Sequence, residues 1–457
     1  MREAQAVAES PASASPRWRR WSLRLLEFGV LFAVLLFTLW LSDRWLLPNG
    51  DVDEYYAYAL AFWTQHPLLH ALPAEYPPLA IIPFTLTLLP SLSNYHLVFA
   101  AWMAALVLLG YAGFLRYAGR SRALVYIVYL LLGAVATLLA RFDIVPALVT
   151  LGALLAAERR RFELAYALVA AGVLLKLYPA FLLPVIVIEH WRYLAARAVD
   201  EGAGETPARE AWRRLRGHPA LAPVARGAAL CLGLIGVGFA GAFILNPAGA
   251  LSTFTYAGGR PLQAESTPAS LLWLGSLFGI PAFPNYSYVS LNLVGPLDGV
   301  LKQLSAVALV GGCLIVYWRQ ARGKLTVGRA VIACLCVVLV TNKIFSPQYL
   351  IWVLPVVAYI EGFSWAWITI CFLTTLDFPF IYQMRHPILT VPYSWQFLPV
   401  VAVRNGLLLW MTFRAIIGPE VGSTHAADVA MGAEPISDTI ERSEDGSKAP
   451  APLGQGI

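Results

Sequence analysis

The stretch RWRRWSLRLLEFGVLFAVLLFTLWLSDRWLLPNGDVDEYY, residues 17–56, decides how the rest of the chain is read. Residues 25–47 form a mostly apolar run of the length that a helix needs to cross a bilayer, about 20 residues. The basic cluster before it reads as a cytoplasmic anchor, and no small-residue cleavage site follows that would make it a removed signal. The first span therefore runs from inside to outside. It delivers Asp51, Asp53 and Glu54, three carboxylates within four residues, to the outer side.

Working outward, PPLAIIPFTLTLLP at 77–90 is apolar but short and holds four prolines. If it crossed, RYAGRSR at 116–122 would lie outside, against the positive-inside rule. Residues 79–90 are therefore expected as an interfacial or re-entrant helix, with the second span at 96–115. The remaining runs fall at 123–140, 144–157, 163–176, 178–190, 226–245, 297–318, 329–342, 348–360, 363–382 and 398–416. The expected fold is an all-α polytopic membrane protein with about twelve spans and both termini inside. This arrangement places 25 of the 33 lysines and arginines in cytoplasmic segments. Several spans are under 16 residues, which predicts tilted or broken helices around a protein-lined cavity. The expected organisation is a cytoplasmic N-tail at 1–23, a transmembrane catalytic domain at 24–417 and a disordered cytoplasmic C-tail at 418–457. Outer loops are expected at 48–95 and 246–296, and a cytoplasmic loop at 191–225.

Composition supports the membrane reading and removes others. Charged residues make up 13% of the 457, hydrophobic residues 58%, and the mean hydropathy is +0.64; soluble proteins carry about 25% charge. The net charge of +6 lies beside apolar runs instead of in one basic domain, so no nucleic-acid partner is expected. All five cysteines sit in apolar runs, and no disulfide is expected. A Walker lysine, a Gly-rich phosphate loop and a dinucleotide fingerprint are all missing from the sequence. The histidines show no convincing metal-ligand spacing.

The polar residues left on the outer side are the candidate site, since ionisable groups at helix ends in a membrane are costly. Asp51, Asp53, Glu54, Tyr55, Glu75 and Tyr76 lie in the first outer loop. Arg141 and Asp143 mark the second outer turn, and Lys176 and Tyr178 the third. Arg260, Gln263 and Glu265 occupy the loop 246–296; Asn342, Lys343 and Gln348 follow at the next outer turn, then Asp377, Arg385 and His386. A snorkelling anchor is the plain alternative for an isolated charge such as Arg44, Lys302 or Arg385. Short turns between apolar helices, as at 141–143 and 176–179, leave little room for solvation and point to function.

Taken in order, a first span followed by D-x-x-x-Y-Y, then EYPPL, RFD-x-x-P, K-x-YP, RPLQ-x-ES and K-x-FSPQY-x-x-W resembles glycosyltransferase family 87, over about residues 25–415. These are polytopic enzymes of the GT-C class, often mannosyltransferases. The resemblance implies transfer of a hexose, mannose by the family's habit, from a polyprenyl-phosphate sugar to a hydroxyl of a glycolipid or glycan on the extracytoplasmic face. It implies a cell-membrane enzyme that inverts the anomeric centre and uses a carboxylate in the first outer loop as general base. Asp51 stands at that position, with Tyr55 as the motif tyrosine; Asp53 and Glu54 are further carboxylates. Asp53, Glu54, Tyr55, Glu75, Tyr76, Arg141, Asp143, Lys176, Tyr178, Arg260, Gln263, Glu265, Asn342, Lys343 and Gln348 are the expected substrate-binding set, with Arg141, Lys176, Arg260 and Lys343 facing the donor phosphate. No cofactor is expected; carboxylates at 51–54 suit a divalent ion, but no ligand set with recognised spacing supports one. The alternative is a transporter or flippase of lipid-linked saccharides, which would place its charges near the midplane and show related halves.

Overall fold

The computed structural model describes residues 17–45, 50–64, 72–73, 75–89, 94–200, 221–382 and 394–418. Helices dominate: α1 Arg17–Trp45, α2 Asp51–Thr64, α3 Ile81–Leu86, α4 Tyr95–Tyr117, α5 Arg120–Gly133, α6 Ile144–Glu158, α7 Phe162–Leu175 and α8 Leu183–Asp200. They continue with α9 Leu221–Leu245, α10 Pro247–Gly259, α11 Thr267–Ser276, α12 Asp298–Ala321, α13 Val327–Thr341, α14 Leu350–Ile360, α15 Trp365–Thr375 and α16 Ser394–Ile417. Residues 1–16 and 419–457 of the expected tails, and Arg385 and His386, fall outside the described residues; α1 begins at Arg17, within the expected N-tail.

Burial sorts these helices. In α13, 13 of the 15 residues are buried, and α14 is buried from Leu350 to Tyr359. Helices that are apolar all round belong in the middle of a bundle. α9 and α12 are equally apolar but expose Leu232, Val237, Ile244, Leu304, Val307 and Leu314, the pattern of a helix that faces hydrocarbon. Together with α4 and the 397–417 part of α16, they are, among the described residues, the four helices long and apolar enough to span a bilayer. This is a helical membrane protein.

The other core helices are shorter than a span. The 15 residues of α6 and of α13 reach only about 22 Å at 1.5 Å per residue, against a hydrocarbon core of about 30 Å. Irregular backbone at such depth is tolerated where protein buries it or a cavity lies beside it, and each short helix ends in a polar turn. The run expected as a helix over 123–140 is helical only to Gly133; residues 134–143 form turns. The run at 79–90 forms a 3₁₀ turn at Pro78–Ala80 and then α3, with Pro78 at the start, where its missing N–H costs nothing.

The structure corrects the all-α expectation in the loop 246–296, which folds. It holds α10, α11 and a three-stranded antiparallel sheet of order β1-β3-β2: β1 Leu262–Gln263, β2 Phe283–Ser287 and β3 Ser290–Val294. Leu262, Ala264, Leu272, Leu291 and Leu293 pack with Phe397, Leu398 and Val401 of α16 into a separate small core. Two-residue periodicity over five residues was too short to be visible beside the apolar runs. Beneath this core, the fully buried Arg404 pairs with Asp377 at 3.2 Å, donates to the Glu265 carbonyl and lies 4.2 Å from the Phe345 ring centroid. It ties the folded loop to α16.

Close helix approach depends on small residues, as is usual where lipid offers no competing hydrophobic drive. A Cβ at Gly227 in α9 would lie 2.0 Å from Tyr166 Cε2 of α7, and Tyr166 is fully buried. Gly227→Ala is expected to lower stability by about 1–3 kcal/mol, read as a lower melting temperature in detergent. Gly233→Ala, with nothing within 4 Å of its Cβ, is expected to be neutral or slightly stabilising in the same assay.

Candidate active site

A cavity of about 410 Å³ gathers the ends of the short helices and the folded loop. Asp51, Glu54, Glu75, Tyr76, Arg141, Lys176, Tyr178, Arg260, Gln263, Asn342, Lys343 and Gln348, twelve of the residues singled out in the sequence, line it.

Residues 141–143 show how a turn distributes function. Because the segment is not helical, three successive side chains take three directions. Arg141 enters the cavity, where its Nε lies 2.8 Å from Asp51 Oδ2. Phe142 inserts among Tyr55, Tyr76 and Phe84, each ring centroid within 5.8 Å. Asp143 points back into the bundle, where its Oδ1 accepts from both Lys176 Nζ and Trp352 Nε1. Lys176 is the last link of that chain. The backbone leaves α7 in an extended conformation at this residue, and the ammonium then sits 5.0–5.7 Å from the ring centroids of Tyr76, Phe142, Tyr349 and Trp352. A cation so placed is held by ring quadrupoles as well as by its carboxylate. Tyr178 stacks on Trp352 at 4.4 Å and shares a hydrogen bond of 2.9 Å with Thr150.

Carboxylates and cations share the wall. Asp51 and Glu54 lie one helical turn apart at the start of α2, where the dipole favours negative charge. Glu54 is open to the cavity, yet partial burial, then the neighbouring carboxylates Glu75 and Asp51, push its pKa up to about 7, with Arg141 opposing. Burial and the neighbouring Glu75 carboxylate raise the Tyr256 pKa. Lys343 Nζ donates to the carbonyls of Gly258 and Arg260 at 2.7 and 3.0 Å, and Arg260 donates to Ser290 Oγ at 2.9 Å. Burial, then Lys302 and Arg260 nearby, lower the Lys343 pKa. Gln263 reaches the wall from β1, its N–H bonded to the Lys343 carbonyl at 3.0 Å.

Four of the expected residues stand elsewhere. Asp53 faces away and pairs with His96 at 2.9 Å, because adjacent helical positions point about 100° apart. Tyr55 is fully buried and stacks on Phe84 at 4.2 Å. Asp143 lies behind Lys176. Glu265 is buried behind Gln263, whose amide donates to it at 3.0 Å. Conversely, the cavity wall includes Thr253, Tyr256, Tyr288, Val289, Ser290, Tyr349 and Trp352, which were not singled out. Tyr349 and Trp352 stand inside the quoted motif FSPQY-x-x-W and stack at 4.0 Å; their aromatic spacing was the available signal. Arg404 carried none, since a lone arginine in an apolar run reads as a snorkelling anchor. Among the described residues, no group of three or more His, Cys, Asp or Glu is placed to hold a metal ion.

Residues 75–200 match the family model of glycosyltransferase family 87. The resemblance read from the motifs thus holds over this segment, which is somewhat over a quarter of the chain. Within the matched glycosyltransferase family 87 segment lie EYPPL, RFD and KLYP, and with them Glu75, Tyr76, Arg141, Lys176 and Tyr178 of the cavity wall. Asp51, Glu54, Arg260, Gln263 and Lys343 come from outside it. No curated protein and no solved structure matches the chain.

Breaking a buried ion pair from one side leaves the other charge uncompensated, at about 3–5 kcal/mol. Asp143→Ala and Lys176→Ala are each expected to destabilise on that scale in a detergent or SDS unfolding titration. Asp143→Leu combined with Lys176→Met is expected to be more stable than the sum of the single losses predicts.

Proposed function

We propose that this protein is an integral membrane glycosyltransferase of the GT-C type. In this reading it moves a hexose, mannose by the family resemblance, from a polyprenyl-phosphate sugar to a hydroxyl of a lipid or glycan acceptor on the extracytoplasmic face. The observation that carries the reading is a cavity whose wall carries both the carboxylates Asp51 and Glu54 and the cations Arg141, Lys176, Arg260 and Lys343. Transfer from a lipid phosphate requires both kinds of group. An acceptor hydroxyl does not ionise near neutral pH, so a carboxylate must take its proton as the oxygen attacks the anomeric carbon. The departing phosphate gains negative charge, which fixed cations stabilise without reorganising.

Asp51 is the proposed base. It sits at the cavity wall with Arg141 against one carboxylate oxygen, a contact that fixes its direction. Glu54, one turn along the same helix, supplies the charge environment and is the alternative proton acceptor. Tyr76, Tyr178, Tyr349 and Trp352 offer flat apolar surfaces for a sugar ring, and Gln263, Asn342 and Gln348 offer amides for its hydroxyls. Direct displacement through this arrangement inverts the anomeric centre.

Purified Asp51→Asn is expected to keep its fold and lose at least about 100-fold in transfer from a radiolabelled polyprenyl-phosphate hexose. Near-wild-type turnover in Asp51→Asn, with the loss found in Glu54→Gln instead, moves the base to Glu54. The pKa of about 7 at Glu54 gives a second test. The fold disfavours its charged form, so the stabilisation by protonated Glu54 is full below its ordinary value of 4.5 and is lost as pH rises through about 7. The melting temperature of Glu54→Gln relative to wild type should therefore rise between pH 5 and pH 8, and the wild-type activity limb near pH 7 should flatten in that variant.

A further inference from the structure

The hairpin joining β2 to β3 turns through two residues, Tyr288 and Val289, between the paired Ser287 and Ser290. Both have positive φ, 54° and 51°, as in a type I′ turn. That turn is normally made by Asn-Gly or Asp-Gly, because only short or absent side chains tolerate left-handed backbone. A tyrosine followed by a β-branched valine is among the least suitable pairs for it. Strain retained at such a place belongs to the side chains that cause it, and both of these line the cavity.

Their surroundings indicate what they touch. Val289 is 83% exposed, and Tyr286, two residues before Tyr288 and so on the same side of β2, is 57% exposed, so the turn and this side of the strand present apolar rings and methyls to the outside of the hairpin. Its inner side is cationic: Ser290, the next residue, accepts from Arg260, and Lys343 donates to the carbonyl of that same arginine. Tyr288 meets Tyr256 edge-to-face at 5.4 Å and stands over Gly259, where a Cβ would come within 2.9 Å of its hydroxyl. Phosphate-binding cations and an apolar lip are thus neighbours in the chain and in space. A ligand that satisfies both is a phosphate monoester or diester of a long hydrocarbon alcohol.

We infer that the Tyr288-Val289 turn is the lip over which the hydrocarbon chain of the lipid-linked donor leaves the cavity, with the first carbons beyond the phosphate packed on Val289 and Tyr288. This rests on the donor class proposed above and assigns the residues that select for its lipid part. Arg260 and Lys343 hold the phosphate, and the exposed ring of Tyr286 continues the apolar contact beyond the turn.

The test replaces the turn with its unstrained form, Tyr288→Asn with Val289→Gly, and measures binding of farnesyl phosphate and of a long-chain polyprenyl phosphate to the purified full chain, beside its melting temperature. The double variant is expected to melt higher than wild type and to bind both phosphates about tenfold more weakly, the loss that follows from removing one or two apolar side chains from the contact. Affinities within twofold of wild type overturn the lip while leaving the donor class standing, including the case in which the hairpin only anchors in the bilayer. A weaker affinity accompanied by a lower melting temperature also overturns it, because the pair is then needed for the fold alone. Failure of the wild-type protein to bind either phosphate overturns both the lip and the proposed donor class.

Discussion

The carboxylate of Asp143 is the point on which the arrangement depends. It is buried to 1% side-chain exposure, and one of its oxygens accepts from both Lys176 and Trp352. Those three residues come from the start of α6, the end of α7 and the first turn of α14, so one acceptor fixes three short helices against one another. The cost of taking a carboxylate and an ammonium out of water is recovered only with close geometry and further partners, and four aromatic rings around Lys176 complete its coordination. With Lys176 and Trp352 on Asp143, Arg141 two residues earlier is left to face the cavity and Asp51.

Helix length is the second constraint. Helices too short to cross hydrocarbon must end in backbone that is buried in protein or wetted by a cavity, and here their ends meet. The same shortness that weakens each as an independent span creates the concave space and supplies its polar lining. The long helices α4, α9 and α12 and the long part of α16 carry the apolar length instead.

Much of this was legible in the sequence, for identifiable reasons. Helices stand where the apolar runs of 96–115, 144–157, 163–176, 226–245, 297–318 and 329–342 were read, because a helix satisfies its own backbone and its hydropathy is local information. Glu75, Arg141, Lys176 and Lys343 stood out because a charge beside an apolar run has few explanations. What stayed hidden depends on direction and distance. Asp51 and Asp53 are indistinguishable as letters, yet one faces the cavity and the other pairs with His96 on the far side. The three-stranded sheet was missed because a strand of two to five residues leaves no periodic trace, and Arg404 because its partners lie 27 and 139 residues away in Asp377 and Glu265.

By itself, the sequence determined the membrane class, the order of the helices and the resemblance to a glycosyltransferase family, since all of these follow from composition and short-range pattern. Only the tertiary structure decided which carboxylates share a cavity with which cations, that Asp143 and Glu265 act from behind the wall, and that Tyr288 and Val289 stand at its mouth. The physical reason is that electrostatic pairing and burial depend on distances between segments far apart in the chain, and those distances exist only once the short helices have been drawn together.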